Sequence, residues 1–373
     1  MDKEITYLYI DDRKDSYQAV QSFQEKGVFG IKCTFPPKSR KELLQMLNDY
    51  DGLIIDQQLD EKEIVDNENN AYYADYSGSS LAIDIRIKEN EIRIANGKDI
   101  SIPIVLYSAN VNVPKTIQRL SEEIVDLKIY KADKDFLTSI PVYQKQMVSL
   151  VNAYNRIKKT GSITECLGLD EKLGIIDSRF IEELKRREKC TAHTKAVFIL
   201  NELIIKQGIL IEEDILAARL GVDKEKSKQG WSKVIASLKE FGADYRGVFC
   251  DGWSRWWMPM VDEWWYSIID SDTYVRFYDA KQRTKLISEK LDGIQLVPAE
   301  VKSKYSIHNE YWTVCDISKE PLDIEDGLLL SGQEDLYPWQ DAKYVSIQSA
   351  LDESIEIAEC DKEKLETFKT NKR

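Results

Sequence analysis

Three apolar runs near the start of the chain are continuous rather than alternating: ITYLYI (5–10), GLIID (52–56) and IPIVLYS (102–108). A strand with one wet face alternates apolar and polar residues, so a continuous run implies a strand covered on both faces. GIKCTF (30–35) and DLKIYK (126–131) are two further strand candidates. Between the runs lie YQAVQSFQEKG, SRKELLQMLNDY, SGSSLAIDIRIKENEIRIA and TIQRLSEEI, all read as helices, the second opening on a serine cap. Strand–helix alternation of this kind predicts an α/β fold, a five-stranded doubly wound parallel sheet with helices on both faces.

Ligands of such sheets bind at the carboxyl ends of the strands. Here those ends carry Asp11 and Asp12, Asp56, Ser108 and Lys131. Three carboxylates at one edge repel one another unless a cation sits among them, and hard oxygen ligands suit magnesium. Lys131 and Ser108 then face the same pocket from the other side. Such a set suits a phosphoryl group: metal and lysine cancel its charge, the hydroxyl donates to it, and a carboxylate attacks.

The stretches YLYIDD, DGLIIDQQLD, SGSSLAIDIR, IVLYSAN and IYKAD resemble the receiver domain of two-component response regulators, over about residues 4–137. The resemblance implies that Asp56 is the phospho-acceptor, and that Asp11, Asp12, Asp56 and the Gln58 carbonyl hold Mg2+. Ser108 would sense the phosphoryl group, with small Ala109 beside it, and Lys131 would pair with it. The implied partner is a histidine kinase or related phosphodonor. Three departures stand out. Acidic residues are inserted at about 60–76, with more around 88–100. Ala132 replaces the usual proline after the lysine. Lys128 occupies the position of the usual aromatic switch.

The rest of the chain divides by character: a helical connector over 138–193, a winged-helix-like segment over 194–260, and a Trp-rich α+β region over 261–373 matching no recognised family. The winged-helix reading rests on order: three helices (TKAVFILNELIIKQG, EEDILAARLGVD, KEKSKQGWSKVIASLKEFGADY), then a strand (YRGVF), a turn, and a strand (WSRWWMPM). Between Arg219 and Lys239, six basic residues face two acids, a local net of +4 in a chain at -13. Lys224, Lys226, Lys228 and Lys233, with Arg255 on the hairpin, are the candidate contacts to nucleic acid or a partner. The bulk negative charge opposes DNA, so a protein-binding face is the competing reading. Trp253, Trp256, Trp257, Trp264 and Trp265 come as adjacent pairs that cannot all face one core; most are expected to join the hairpin to the C-terminal region, some to form an exposed patch. His308, Cys315 and Asp316 match no nucleophile motif, and an ordinary buried thiol is the expectation.

The six cysteines are scattered without a CxxC pair, and only two histidines are present, which excludes zinc frameworks and multi-histidine metal sites. No apolar run reaches about 18 residues and no signal peptide is legible, so a cytoplasmic protein without a membrane partner is expected. A phosphorylated response regulator acting on DNA or a protein is the leading expectation. A docking scaffold with an unphosphorylated receiver, and a C-terminal half with enzymatic activity, are the alternatives. Whether the chain forms a homodimer is open.

Overall fold

The computed structural model describes residues 4–65, 71–108, 123–132, 135–160, 162–169, 174, 176–269, 273–333 and 335–370. The chain divides into two compact units. The first comprises residues 1–173, 181–201 and 246–253; the second comprises 174–180, 202–245 and 254–373.

In the first unit the expected strands form β1 (Ile5–Ile10), β2 (Phe29–Thr34) and β3 (Gly52–Ile55). A two-stranded hairpin comes next, β4 (Ile64–Val65) with β5 (Ala71–Tyr72), and then β6 (Ile104–Ser108) and β7 (Leu127–Tyr130). The five-stranded sheet runs β2-β1-β3-β6-β7 with every pairing parallel. Chain order reverses beside β1, so the ends of β1 and β3 flank the switch point of the sheet. This is the doubly wound fold expected. Of the intervening helices, α1 is Ser16–Gln21, α2 is Arg40–Met46 and α3 is Gly78–Asn96. Ser39 caps α2 by accepting from the Lys41 amide, and Ser77 caps α3 in a reciprocal box with Ser80. The helix expected over TIQRLSEEI lies largely outside the described residues.

Each strand residue chooses its face by parity. Leu8, Ile10, Leu53, Ile55, Ile104 and Leu106 pack with Leu43 and Leu47 below α2 and with Leu81 and Ile85 of α3. The opposite face is aromatic, with Phe23 against Tyr107 and the Tyr7 hydroxyl donating to the Met147 carbonyl at 2.8 Å. Met147 belongs to α4 (Phe136–Thr160), which buries Leu150, Val151, Tyr154 and Ile157. The stretch assigned to a connector after residue 137 is therefore a helix of this first unit. Its apolar residues recur every three or four positions, the pattern of a helix with one face buried. At the β6–β7 edge, Asp126 is fully enclosed and accepts from Arg86 (3.0 Å), the Ile104 amide (2.8 Å) and the Tyr154 hydroxyl (2.6 Å). Its carboxyl is driven up by burial but held below its ordinary value by His193, Arg86 and Tyr154.

Beyond α4 come α5 (Ile163–Leu167), α6 (Ser178–Arg187) and α7 (Ala192–Ile199), the last continuing as a π-helical turn, Leu200–Ile205. After them lie β8 (Leu210–Ile211), α8 (Glu213–Arg219), α9 (Lys228–Phe241), β9 (Trp256–Trp257) and α10 (Met258–Ile269). β8 pairs antiparallel with β9, and the Tyr245 amide donates to the Arg255 carbonyl at 2.9 Å. The helices keep the expected order, but the expected hairpin does not form: β9 pairs instead with β8, which precedes α8. Residues 246–253 form turns, with Phe249 at φ 71°, and Met258 already opens a helix. Val248 and Phe249 are buried, the Val248 amide donating to the Cys166 carbonyl at 2.8 Å, so this loop is part of the first unit and not a free wing.

The tryptophan expectation also needs correction. Trp256, Trp264 and Trp265 share one core of the second unit, and neither Trp253 nor Trp257 is exposed. Adjacent residues on α10 point about 100° apart, and this helix is covered widely enough to bury both Trp264 and Trp265. Their ring N–H groups find Ser237 (2.9 Å) and the Thr273 carbonyl (3.1 Å). The unit is completed by α11 (Ala280–Lys290) and by short antiparallel pairs and helices to Thr370.

Candidate functional site at the carboxyl edge of the sheet

Parallel strands that stop together deliver their next residues to one edge. Asp11 and Asp12 come directly after β1, Asp56 after β3 and Lys131 after β7, while Ser108 ends β6. All three aspartates and Ser108 are buried. The Lys131 amide donates to the Ser108 carbonyl at 2.8 Å, which fixes the start of its side chain. From there Nζ reaches Asp56 Oδ1 at 2.5 Å and Asp11 Oδ2 at 3.4 Å, and lies 4.6 Å from the centre of the Tyr107 ring.

The remaining carboxylate oxygens are met differently. Asp56 Oδ2 accepts from the Gln58 amide at 2.8 Å. Asp11 Oδ1 accepts from the Arg13 amide at 2.8 Å, and its Oδ2 also accepts from the Tyr9 hydroxyl. Asp12 Oδ2 accepts from the amides of Glu61 (3.1 Å) and Lys62 (2.8 Å), in the insertion beyond Asp56. Asp12 Oδ1 is buried and has no hydrogen-bond partner among the described residues.

Burial raises the carboxyl of Asp56 above its ordinary value, against the opposing pull of Lys131 and the Gln58 amide. Burial also raises Asp12, against the Lys62 and Glu61 amides. The Tyr107 hydroxyl is pushed up to about 12, by burial first and then by Asp11 and Asp56.

The edge thus gathers the expected residues. Among the described residues no group of three or more carboxylate, imidazole or thiol side chains is drawn together as a cation cage. The physical reason is that Lys131, Tyr9 and backbone amides already engage Asp11, Asp56 and one oxygen of Asp12. The donor set still fits a hard cation in one respect. Asp12 Oδ1 is a buried anionic oxygen without a donor among the described residues, a costly condition that a cation relieves.

α3 enters the site through its first residue. A Cβ on Gly78 would stand 2.0 Å from the Asp56 carbonyl oxygen, so only glycine lets the helix start against this strand end. The Gly78 amide donates to the Gln57 carbonyl at 3.0 Å, and Ser79 bonds the Gln57 side chain at 2.6 Å. Lys128 is half-buried on β7. Ala109 lies outside the described residues. Three contributors were not anticipated: the Tyr9 hydroxyl and the Glu61 and Lys62 amides. The first had a signal, a tyrosine inside an apolar strand two residues before Asp11; backbone donors carry none.

Several of the basic candidates of the other half already have partners within the chain. Lys224 pairs with Asp214 at 2.5 Å and Lys226 with Asp223 at 2.6 Å. Arg219 is buried, bonded to Asp341 and the Trp312 carbonyl. Arg255 donates to the Ile204 carbonyl at 2.7 Å, and burial lowers its guanidinium below the ordinary value. Lys228 and Lys233 are exposed on α9. His308 pairs with Asp326 at 2.8 Å. Cys315 is buried, and its sulfur accepts from the Ser346 amide at 3.2 Å.

No protein-family model matches the chain, and a search of curated proteins found no match. Solved structures do match it. A CheY-like response regulator receiver domain from Methylobacillus flagellatus is 18% identical over 37% of this chain and 99% of its own, with a TM-score of 0.24. The BeF3-activated receiver domain of RstA from Klebsiella pneumoniae is 15% identical over 38% and 99%, at 0.26. The Mn(2+)-bound form of the response regulator Rcp1 is 16% identical over 36% and 88%, at 0.25.

The N-terminal sheet has the doubly wound strand order 2-1-3-4-5, which flavodoxin-like and receiver folds share. Among the described residues no helix is long and apolar enough to cross a membrane.

Proposed function

We propose that this chain is a response-regulator-like signalling protein whose receiver accepts a phosphoryl group on Asp56. The observation that carries the reading is the Lys131 ammonium held between Asp56 and Asp11 at the carboxyl edge of the sheet. A cation at that place neutralises a carboxylate at rest and the oxygens of a bound phosphoryl group afterwards. An Asp56 oxygen attacks phosphorus while the bond from phosphorus to the donor's nitrogen breaks, and that electron pair leaves with the donor. The product is an acyl phosphate, with Lys131 free to move from Asp56 to a phosphoryl oxygen. Asp11, Asp12 and the Gln58 carbonyl would hold Mg2+, which supplies further neutralisation of the phosphoryl oxygens. The donor this reading implies is a histidine kinase or a related phosphodonor.

The effector half is read as protein-binding in preference to DNA-binding, because Lys224, Lys226 and Arg255 already have protein partners. A second reading, an unphosphorylated docking scaffold, is favoured by Lys128 at the switch position. Intact-mass measurement with a small phosphodonor and Mg2+ separates the two. One added phosphoryl group is expected in the wild type and none in Asp56→Asn, whose amide is not nucleophilic. An unmodified wild type would leave the scaffold.

A further inference from the structure

The insertion beyond Asp56 reaches Asp12 through its backbone. The amides of Glu61 and Lys62 both donate to Asp12 Oδ2. Two convergent N–H bonds on one oxygen fix both the position and the rotation of a carboxylate. The other oxygen, Oδ1, is then buried with no donor among the described residues. A guanidinium stands close by, but Arg13 Nε stops 3.9 Å away. That guanidinium is instead bonded to the Glu61 side chain. The same turn therefore does two things: it orients Asp12, and it bonds the arginine, whose ion pair with Oδ1 at 3.9 Å makes no hydrogen bond to it.

We infer that residues 61 and 62 are positioning residues that hold Asp12 with Oδ1 presented to a divalent cation. This rests on the phosphoryl-acceptor reading above and adds to it a role for the insertion. A carboxylate forms bonds through both oxygens when free to turn. Saturating one and baring the other has a cost, and that cost is recovered when a cation arrives. Because the donors are amides, the Lys62 side chain, which is exposed, has no part in it. The 61–62 turn thus acts on the metal through Asp12, as outer groups act on other metal ligands.

The test uses Mn2+ as probe on the full chain, followed by calorimetry. Lys62→Ala keeps the N–H and removes the side chain; Lys62→Pro removes the N–H. The alanine variant should bind as the wild type does. The proline variant should bind about tenfold more weakly or worse, the range seen when an outer hydrogen bond to a metal ligand is lost. Wild-type affinity in Lys62→Pro, or an equal loss in Lys62→Ala, overturns the inference while leaving the metal site standing. No Mn2+ binding by the wild type overturns the metal reading itself. Should Lys62→Pro fail to fold, the wild type still decides. Under Mg2+ the amide resonances of Glu61 and Lys62 should shift, and in Asp12→Asn they should not respond. Resonances unmoved by saturating Mg2+ in the wild type refute the positioning role.

Discussion

Gly78→Ala tests how tightly the receiver site depends on the start of α3. The added methyl would lie 2.0 Å from the Asp56 carbonyl oxygen, 3.0 Å from its carbonyl carbon and 3.0 Å from Ile55 Cγ2. Ordinary contacts begin near 3.4 Å, so the helix start and the strand end must separate by more than about 1 Å. The obstacle is backbone and cannot swing aside. Overpacking of a well-filled site costs about 1–3 kcal/mol, and this case belongs at the upper end. The bond from the Gly78 amide to the Gln57 carbonyl is strained by the same movement. Helix propensity would favour alanine by no more than about 1 kcal/mol, and less at a first helical position. The net loss is therefore about 2 kcal/mol, or a fall of about 4–8 °C in melting temperature. The phosphoryl acceptance proposed for Asp56 should fall with it, since Asp56 moves with its own carbonyl. Gly97→Ala is the control. Gly97 caps the same helix at φ 72° with nothing within 4 Å, so its alanine costs about 1 kcal/mol through backbone strain alone and leaves acceptance intact. A Gly78→Ala protein with wild-type melting temperature and wild-type mass shift would refute the reasoning.

Two further outcomes are expected. Tyr9→Phe removes the hydroxyl that donates to the buried Asp11 carboxylate, and should lower stability in urea at neutral pH by about 1.5–3 kcal/mol; an unchanged midpoint would show that the bond is not made. In the second unit, burial raises the Asp262 carboxyl to about 7, against the pull of Arg219. Between about pH 4 and 7 the native state then binds more protons than the unfolded one, so stability should fall as pH rises through this window, with a ceiling of roughly 4 kcal/mol. Asp262→Asn should flatten this dependence between about pH 4 and 7, and an unaltered slope counts against the raised carboxyl.

Much of the first unit is legible because its cues are local and covalent. A continuous apolar run such as GLIID states that both faces are covered, and the residue that ends it is placed at the edge by chain continuity alone. Asp11, Asp12, Asp56, Ser108 and Lys131 needed nothing more than the positions of the strand ends. Ser39 and Ser77 announce helix starts in the same local way. What these cues do not carry is orientation. That Lys131 reaches both Asp56 and Asp11, and that Asp11 turns to Tyr9, depends on side-chain rotation set by neighbours from other strands. The bonds that Lys131, Tyr9 and the backbone amides make to these carboxylates were illegible for this reason. Repulsion among carboxylates was counted, while neutral N–H and O–H donors from the surrounding backbone and β1 were not.

The second half was harder to read because its cues conflict at short range and are settled at long range. The net of +4 between Arg219 and Lys239 treats charge as a sum, whereas pairing is geometric. Lys224 finds Asp214 ten residues earlier, in the first turn of α8, and Arg219 finds Asp341, far along the chain. Each pair removes a cation from the count that a phosphate backbone could meet. The hairpin was misread by the same logic. Val248 and Phe249 look like strand residues by type, but a buried hydrophobic needs only a partner surface, and α4 and α5 supply one: the Val248 amide meets the Cys166 carbonyl, and Gly252 packs on Gln146 and Ser149. β-branched and aromatic residues report fitness for a half-buried pleated surface, not an intrinsic preference for one. A short apolar segment therefore states that it will be covered, while the covering surface is decided by elements distant in the sequence.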